Sequence, residues 1–110
     1  VDEFREPDFL FWPRSIPLKE VTAASALLIV EVADTSLSYD LRLKAPAYAS
    51  LGLPEYWVIN ANTLVTAIHR TPGPSGYPDP HVAGPNDLLK PMLAPQLAVR
   101  LTDLGLTPMA

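Results

Sequence analysis

The run Leu27-Leu28-Ile29-Val30-Glu31-Val32 constrains the fold of this 110-residue chain more than any other segment. It reads as a strand covered on both faces, the kind found in parallel or mixed sheets. Alternation puts Leu27, Ile29 and Glu31 on one face and Leu28, Val30 and Val32 on the other. Glu31 is the anomaly. An ionised carboxylate among apolar neighbours is costly unless it is paired, hydrogen-bonded or bound to a metal. The ordinary explanation is a structural salt bridge, or solvent exposure at the strand's end. The chemical explanation is an acidic, metal-type site.

The flanking sequence builds an α/β domain around that strand. Thirteen prolines sit mostly between apolar runs, where they act as punctuation. Residues 1–14 read as extended: Val1–Glu6 alternates, Pro7 marks an edge or bend, and Phe9-Leu10-Phe11-Trp12 is a run suited to burial. A connection follows, with a short helix near Pro17–Thr22. After the Leu27–Val32 strand, Asp34-Thr35-Ser36 turns the chain, and Ser36 or Ser38 can cap a helix over Leu37–Leu51. Gly52 suits a left-handed C-terminal cap, and Pro46 bends the helix. Tyr56–Ile59 is the next strand, Asn60–Thr63 a hairpin turn, and Leu64–Arg70 the returning strand. Residues 71–86 are loop with a short strand near Tyr77–Val82, and Leu97–Leu101 is a last strand after Pro95. The expected architecture is a mixed sheet with at least one crossover helix. Residues 1–110 read as a single domain, and the missing initiator Met suggests that its first elements precede Val1.

Composition narrows the function classes. Hydrophobic residues make up 48% and charged residues 18%, as in ordered globular proteins. The formal net charge of −4 offers no basic face for a general grip on nucleic acid. That argument weakens for an enzyme whose carboxylates bind divalent cations, since the metal changes the local sign. With no cysteine, disulfides, zinc thiolates and cysteine nucleophiles are excluded, and a cytoplasmic location is expected. No apolar run approaches the roughly 20 residues that span a bilayer, so no membrane contact is expected.

Two features give Glu31 partners. Asp8 follows Pro7 at a strand boundary and can enter the same sheet. Asp40, Lys44 and Tyr48 recur every fourth residue, along one stripe of the helix. Asp40 and Lys44 alone would be an ordinary surface pair. If the stripe faces the sheet end, however, Lys44 stands near Glu31 and Asp8. Two carboxylates and a lysine suit phosphodiester hydrolysis: the acids hold Mg²⁺ through hard oxygen ligands, the metal activates water, and the lysine neutralises charge on the phosphate. Other polar residues read as structural. Glu55-Tyr56-Trp57 suits core packing or a dimer contact. His69 and His81 have no metal-ligand spacing, and Ser36 and Ser38 lack nucleophile-elbow glycines.

Pro7-Asp8, Leu28–Val32 with Glu31, Tyr39-Asp40, Lys44, Tyr48 and Gly52–Ile59, with the closing Pro95–Val99, resemble the Uma family of putative restriction endonucleases. That family belongs to the PD-(D/E)XK nuclease superfamily, and the similarity runs from about Glu6 to Leu104. The resemblance implies a restriction-endonuclease-like fold, a central mixed β-sheet flanked by helices. It implies Asp8, Glu31 and Lys44 as catalytic residues, Asp8 and Glu31 as ligands of Mg²⁺ or Mn²⁺, and Asp40 and Tyr48 in support. The superfamily's usual lysine lies two residues after the second acid, where this chain has Ala33; Lys44 is the replacement that the family pattern suggests. The implied activity is a metal-dependent DNA endonuclease. Cutting both strands with one site per chain favours a two-fold homodimer. The acidic charge supports a rival, a catalytically inactive nuclease-fold binding or assembly module; a third reading is a hydrolase of small phosphate esters.

Overall fold

The computed structural model describes Phe4, residues 6–34 and residues 37–109. Among the described residues, five strands form one sheet in chain order: β1 (Phe9–Phe11), β2 (Leu28–Ala33), β3 (Glu55–Asn60), β4 (Thr66–Arg70) and β5 (His81–Ala83). Only β2 and β3 are parallel; the other neighbours are antiparallel. This is the mixed sheet expected of a restriction-endonuclease-like α/β fold. The parallel pair requires a crossover, and the chain makes it with a single helix, α1.

That helix has three parts: Leu37–Tyr39 and Ala45–Ser50 are α-helical, and Asp40–Lys44 between them forms a π turn. The Ala45 N–H donates to the Asp40 carbonyl, five residues back. Pro46 explains the widening. It has no N–H to give, and its ring would collide with the carbonyl four residues earlier in a regular helix. The expected bend therefore takes the form of a π turn, and the turn carries Asp40 and Lys44.

The end of α1 is a Schellman cap. Leu53 N–H donates to Tyr48 O at 3.1 Å and Gly52 N–H to Ala49 O at 3.0 Å. Gly52 sits at φ +83°, and a Cβ added to it would lie 3.5 Å from the Ala24 Cβ. Left-handed backbone costs a non-glycine residue about 1–2 kcal/mol. Gly52→Ala is therefore expected to lower unfolding free energy by that amount, as a lower urea midpoint with an unchanged slope. An unchanged midpoint would contradict the cap.

The sheet separates two apolar clusters. Ile29, Ala33, Tyr56 and Val58 pack with Ala45, Tyr48 and Leu53 on the helix side. Leu28, Val30, Trp57, Ile59 and Ile68 pack with Leu64, Leu89 and Leu101 on the other. The alternation expected along β2 is thus realised, with Glu31 on the helix side.

Several expected elements differ. Of the strand expected over Val1–Glu6, Val1, Asp2, Glu3 and Arg5 lie outside the described residues; Phe4 and Glu6 are not in a strand, and Glu6 turns with φ 49°. The Ser36 cap also lies outside the described residues, while Ser38 is already within the first helical turn. The short helix near Pro17–Thr22 is a single 3₁₀ turn, Leu18–Glu20. The last strand, Leu97–Leu101, is not a ladder. Pro95–Leu97 and Leu101–Leu104 are 3₁₀ turns, and one bridge, Leu89 to Val99, joins the segment to its neighbour. Its apolar residues serve by covering the sheet rather than by pairing with it. Among the described residues no helix is long and apolar enough to cross a membrane.

Candidate active site

Glu31 is the penultimate helix-facing residue of β2 and is 2% exposed. Both of its carboxylate oxygens are engaged. Oε1 accepts the Asp8 backbone N–H at 2.9 Å, and Oε2 accepts Lys44 Nζ at 2.7 Å. The pairing of Phe9 with Val30 places Asp8 directly opposite Glu31, one step beyond the β1–β2 ladder. Asp8 completes a reciprocal clamp there: its Oδ2 accepts the Val32 N–H at 2.7 Å. The turn at Glu6-Pro7 carries the chain away from β2, so the Asp8 side chain caps a strand amide that backbone no longer reaches. Asp8 itself is exposed.

Lys44 reaches this corner from α1. Its side chain is 15% exposed, and Nζ also lies 3.5 Å from Asp40 Oδ1. Asp40 is buried. The Tyr39 ring sits 5.9 Å from the ammonium, within cation–π range. Burial pulls the Lys44 pKa down, but the hydrogen bond and charge of Glu31, together with Asp40, outweigh it and hold the pKa above its ordinary value. Lys44 is thus a fixed cation rather than a proton acceptor at neutral pH.

The structure brings Asp8, Glu31, Lys44 and Asp40 together. Tyr48 is fully buried in the helix-side cluster, its ring 5.2 Å from that of Tyr56. Ala33, where a lysine would be usual, is buried among the helix-side residues. It packs with residues of α1, the helix that carries Lys44.

Among the described residues no group of three or more His, Cys, Asp and Glu side chains is arranged to hold a metal ion. The acids at the corner still match the chemistry of one ion. Mg²⁺ is commonly bound by one or two carboxylates, with water and substrate phosphate completing its shell. Asp8 and Glu31 would be the residues to hold it, and Glu31 Oε1 and Oε2 and Asp8 Oδ2 each already accept a protein hydrogen bond.

The histidines stay outside the site. His69 is buried on β4, with Nδ1 3.2 Å from Tyr56 O and its ring between those of Tyr56 and Tyr77. Desolvation lowers its pKa against the opposing pull of that hydrogen bond, so it is a neutral core residue. His81 is exposed on β5. The Tyr56 hydroxyl, on a residue that the sequence assigned to packing, is buried without a hydrogen-bond partner among the described residues.

A family model described as Uma2, "Putative restriction endonuclease", matches residues 1–103. No curated protein matches the chain.

Proposed function

The chain belongs to the Uma2 family of putative restriction endonucleases, and from that premise we propose that it is a Mg²⁺- or Mn²⁺-dependent DNA endonuclease worked by Asp8, Glu31 and Lys44. One observation carries the reading. A buried carboxylate, Glu31, is tied at once to the Asp8 backbone and to Lys44 on the crossover helix.

In this reading Asp8 and Glu31 hold the cation. When bound, it supplies an activated water and stabilises charge on the attacking and leaving oxygens. The protein's own residues do the rest. Glu31 presents its carboxylate from a rigid strand, and the Asp8–Val32 bond fixes the strand end that carries Asp8. Lys44 stays protonated and gives its positive charge to a phosphate oxygen, where a fixed charge favours the transition state. Asp40 keeps the ammonium near the corner while no phosphate is present. Tyr39, 47% exposed beside Lys44, lies at the mouth of this corner.

The binding-module reading has its own support, because both Glu31 oxygens already have protein partners and the net charge is −4. Supercoiled plasmid separates the two. The endonuclease should convert it to nicked or linear product with Mg²⁺ or Mn²⁺ and leave it intact with EDTA, and calorimetry should detect Mn²⁺ binding. Intact plasmid and no Mn²⁺ heat would overturn the enzyme reading in favour of the module. Cleavage of p-nitrophenyl phosphate in place of plasmid would select a small-ester hydrolase. Linear product without accumulated nicks would point to a two-fold pair of chains.

A further inference from the structure

The π turn in α1 sets an aromatic ring beside the acidic corner. In a regular helix, residues five apart point about 140° away from each other. The wider hydrogen-bonding step of the Asp40–Lys44 turn brings such a pair back to one side. Tyr39 and Lys44 are such a pair, and the ammonium lies 5.9 Å from the Tyr39 ring centroid. The same ammonium is 2.7 Å from Glu31 Oε2. Ring and buried carboxylate thus flank one cation. Tyr39 is nevertheless outside both apolar clusters and 47% exposed.

An exposed aromatic face beside a lysine that meets phosphate is a pair suited to holding one nucleotide. The cation takes the phosphate, and the ring takes the base. Charge alone gives this chain little hold on a duplex. Its net charge is −4, and double-stranded DNA carries one negative charge per about 1.7 Å of axis. Stacking needs no excess of positive charge, and every base has a π face to offer. Inside a duplex, however, neighbouring base pairs cover those faces.

We propose that Tyr39 is the base platform of this site, and that the preferred substrate is unpaired, single-stranded DNA with a base on Tyr39 and the adjoining phosphate at Lys44. This rests on the endonuclease reading and narrows its substrate class.

The test uses the full chain with Ca²⁺ in place of Mn²⁺, as wild type, Tyr39→Phe and Tyr39→Leu. The probe is an oligonucleotide carrying 2-aminopurine, used single-stranded or annealed to its complement. The wild type should bind the single strand about tenfold or more tightly than the duplex, and should quench its 2-aminopurine fluorescence. Tyr39→Phe keeps the ring and should match the wild type. Tyr39→Leu should lose the quenching and about tenfold in single-strand affinity, the scale of one base–aromatic stack, while duplex affinity stays the same. Equal losses on single strand and duplex would mean that Tyr39 only steadies Lys44, and would overturn the proposal. So would tighter binding of the duplex by the wild type, full single-strand affinity in Tyr39→Leu, or a Tyr39→Phe as weak as Tyr39→Leu. Plasmid nicking alongside any of these results leaves the endonuclease reading standing. A wild type that binds neither form would also overturn the proposal, and intact plasmid besides would overturn both.

Discussion

Glu31→Gln should lower metal-dependent DNA cleavage by at least about a hundredfold, the scale on which losing one group that stabilises transition-state charge is felt. The substitution keeps size and shape but leaves one acceptor atom where two are needed. Asp8 N–H and Lys44 Nζ approach opposite oxygens of Glu31, so the amide must turn its NH₂ toward one of them. That clash and the lost charge together reduce stability by about 1–3 kcal/mol. Rates should therefore be compared at a temperature where circular dichroism shows both proteins folded. Mn²⁺ binding should weaken along with cleavage. If folded Glu31→Gln cuts plasmid at the wild-type rate, the assignment of this corner as the active site is wrong. Asp8 is the poorer residue to test: because its Oδ2 also caps the Val32 N–H, an Asp8 variant would mix a structural loss with a chemical one. Glu31→Gln separates them better.

The corner was legible in the sequence to the extent that simple periods govern it. A period of two placed Glu31 on one face of β2, and a helical period placed Asp40 and Lys44 on one stripe; the structure joins the two. What no local pattern encodes is register between segments far apart. That Asp8 lies opposite Glu31 depends on how β1 slides along β2, twenty-three residues away. Tyr48, on the same stripe beyond the π turn, is packed in the helix-side core. Pro46 was readable as a defect, but whether a helix kinks or widens is decided by the packing around it. The C-terminal segment was least legible. Its apolar residues looked like a strand, yet Pro91, Pro95 and a lone bridge leave them as a cover for the lower face.

Glu55 obeys the same rule as Glu31 and leads to the opposite conclusion. It too is a buried carboxylate within an apolar strand, here the first residue of β3, and it is 0% exposed. Its parity with Trp57 and Ile59 places it on the face of the sheet away from Tyr56 and the acidic corner. Every strong partner it has is structural. Oε2 accepts Trp57 Nε1 at 2.6 Å and Arg70 Nε at 2.8 Å, and Oε1 accepts the Met92 N–H at 2.8 Å. Arg70 extends the link to Lys90 O at 2.7 Å. One carboxylate thus joins β3, β4 and the segment that covers the lower cluster. Glu55→Ala should destabilise the protein by about 3 kcal/mol, the lower end of the range for breaking a buried ion pair. The lower end applies because the Arg70 side chain is 34% exposed and can regain water. Against a typical total of about 5–15 kcal/mol, such a loss is large. Urea unfolding followed by Trp57 fluorescence should show a marked drop in midpoint. Mn²⁺ binding, measured where the variant remains folded, should be unchanged, because the sheet stands between Glu55 and Glu31. A loss of stability below about 0.5 kcal/mol, the ordinary range for a surface change, would remove Glu55 as the tie. A loss of Mn²⁺ affinity in folded protein would show that the two buried acids act together.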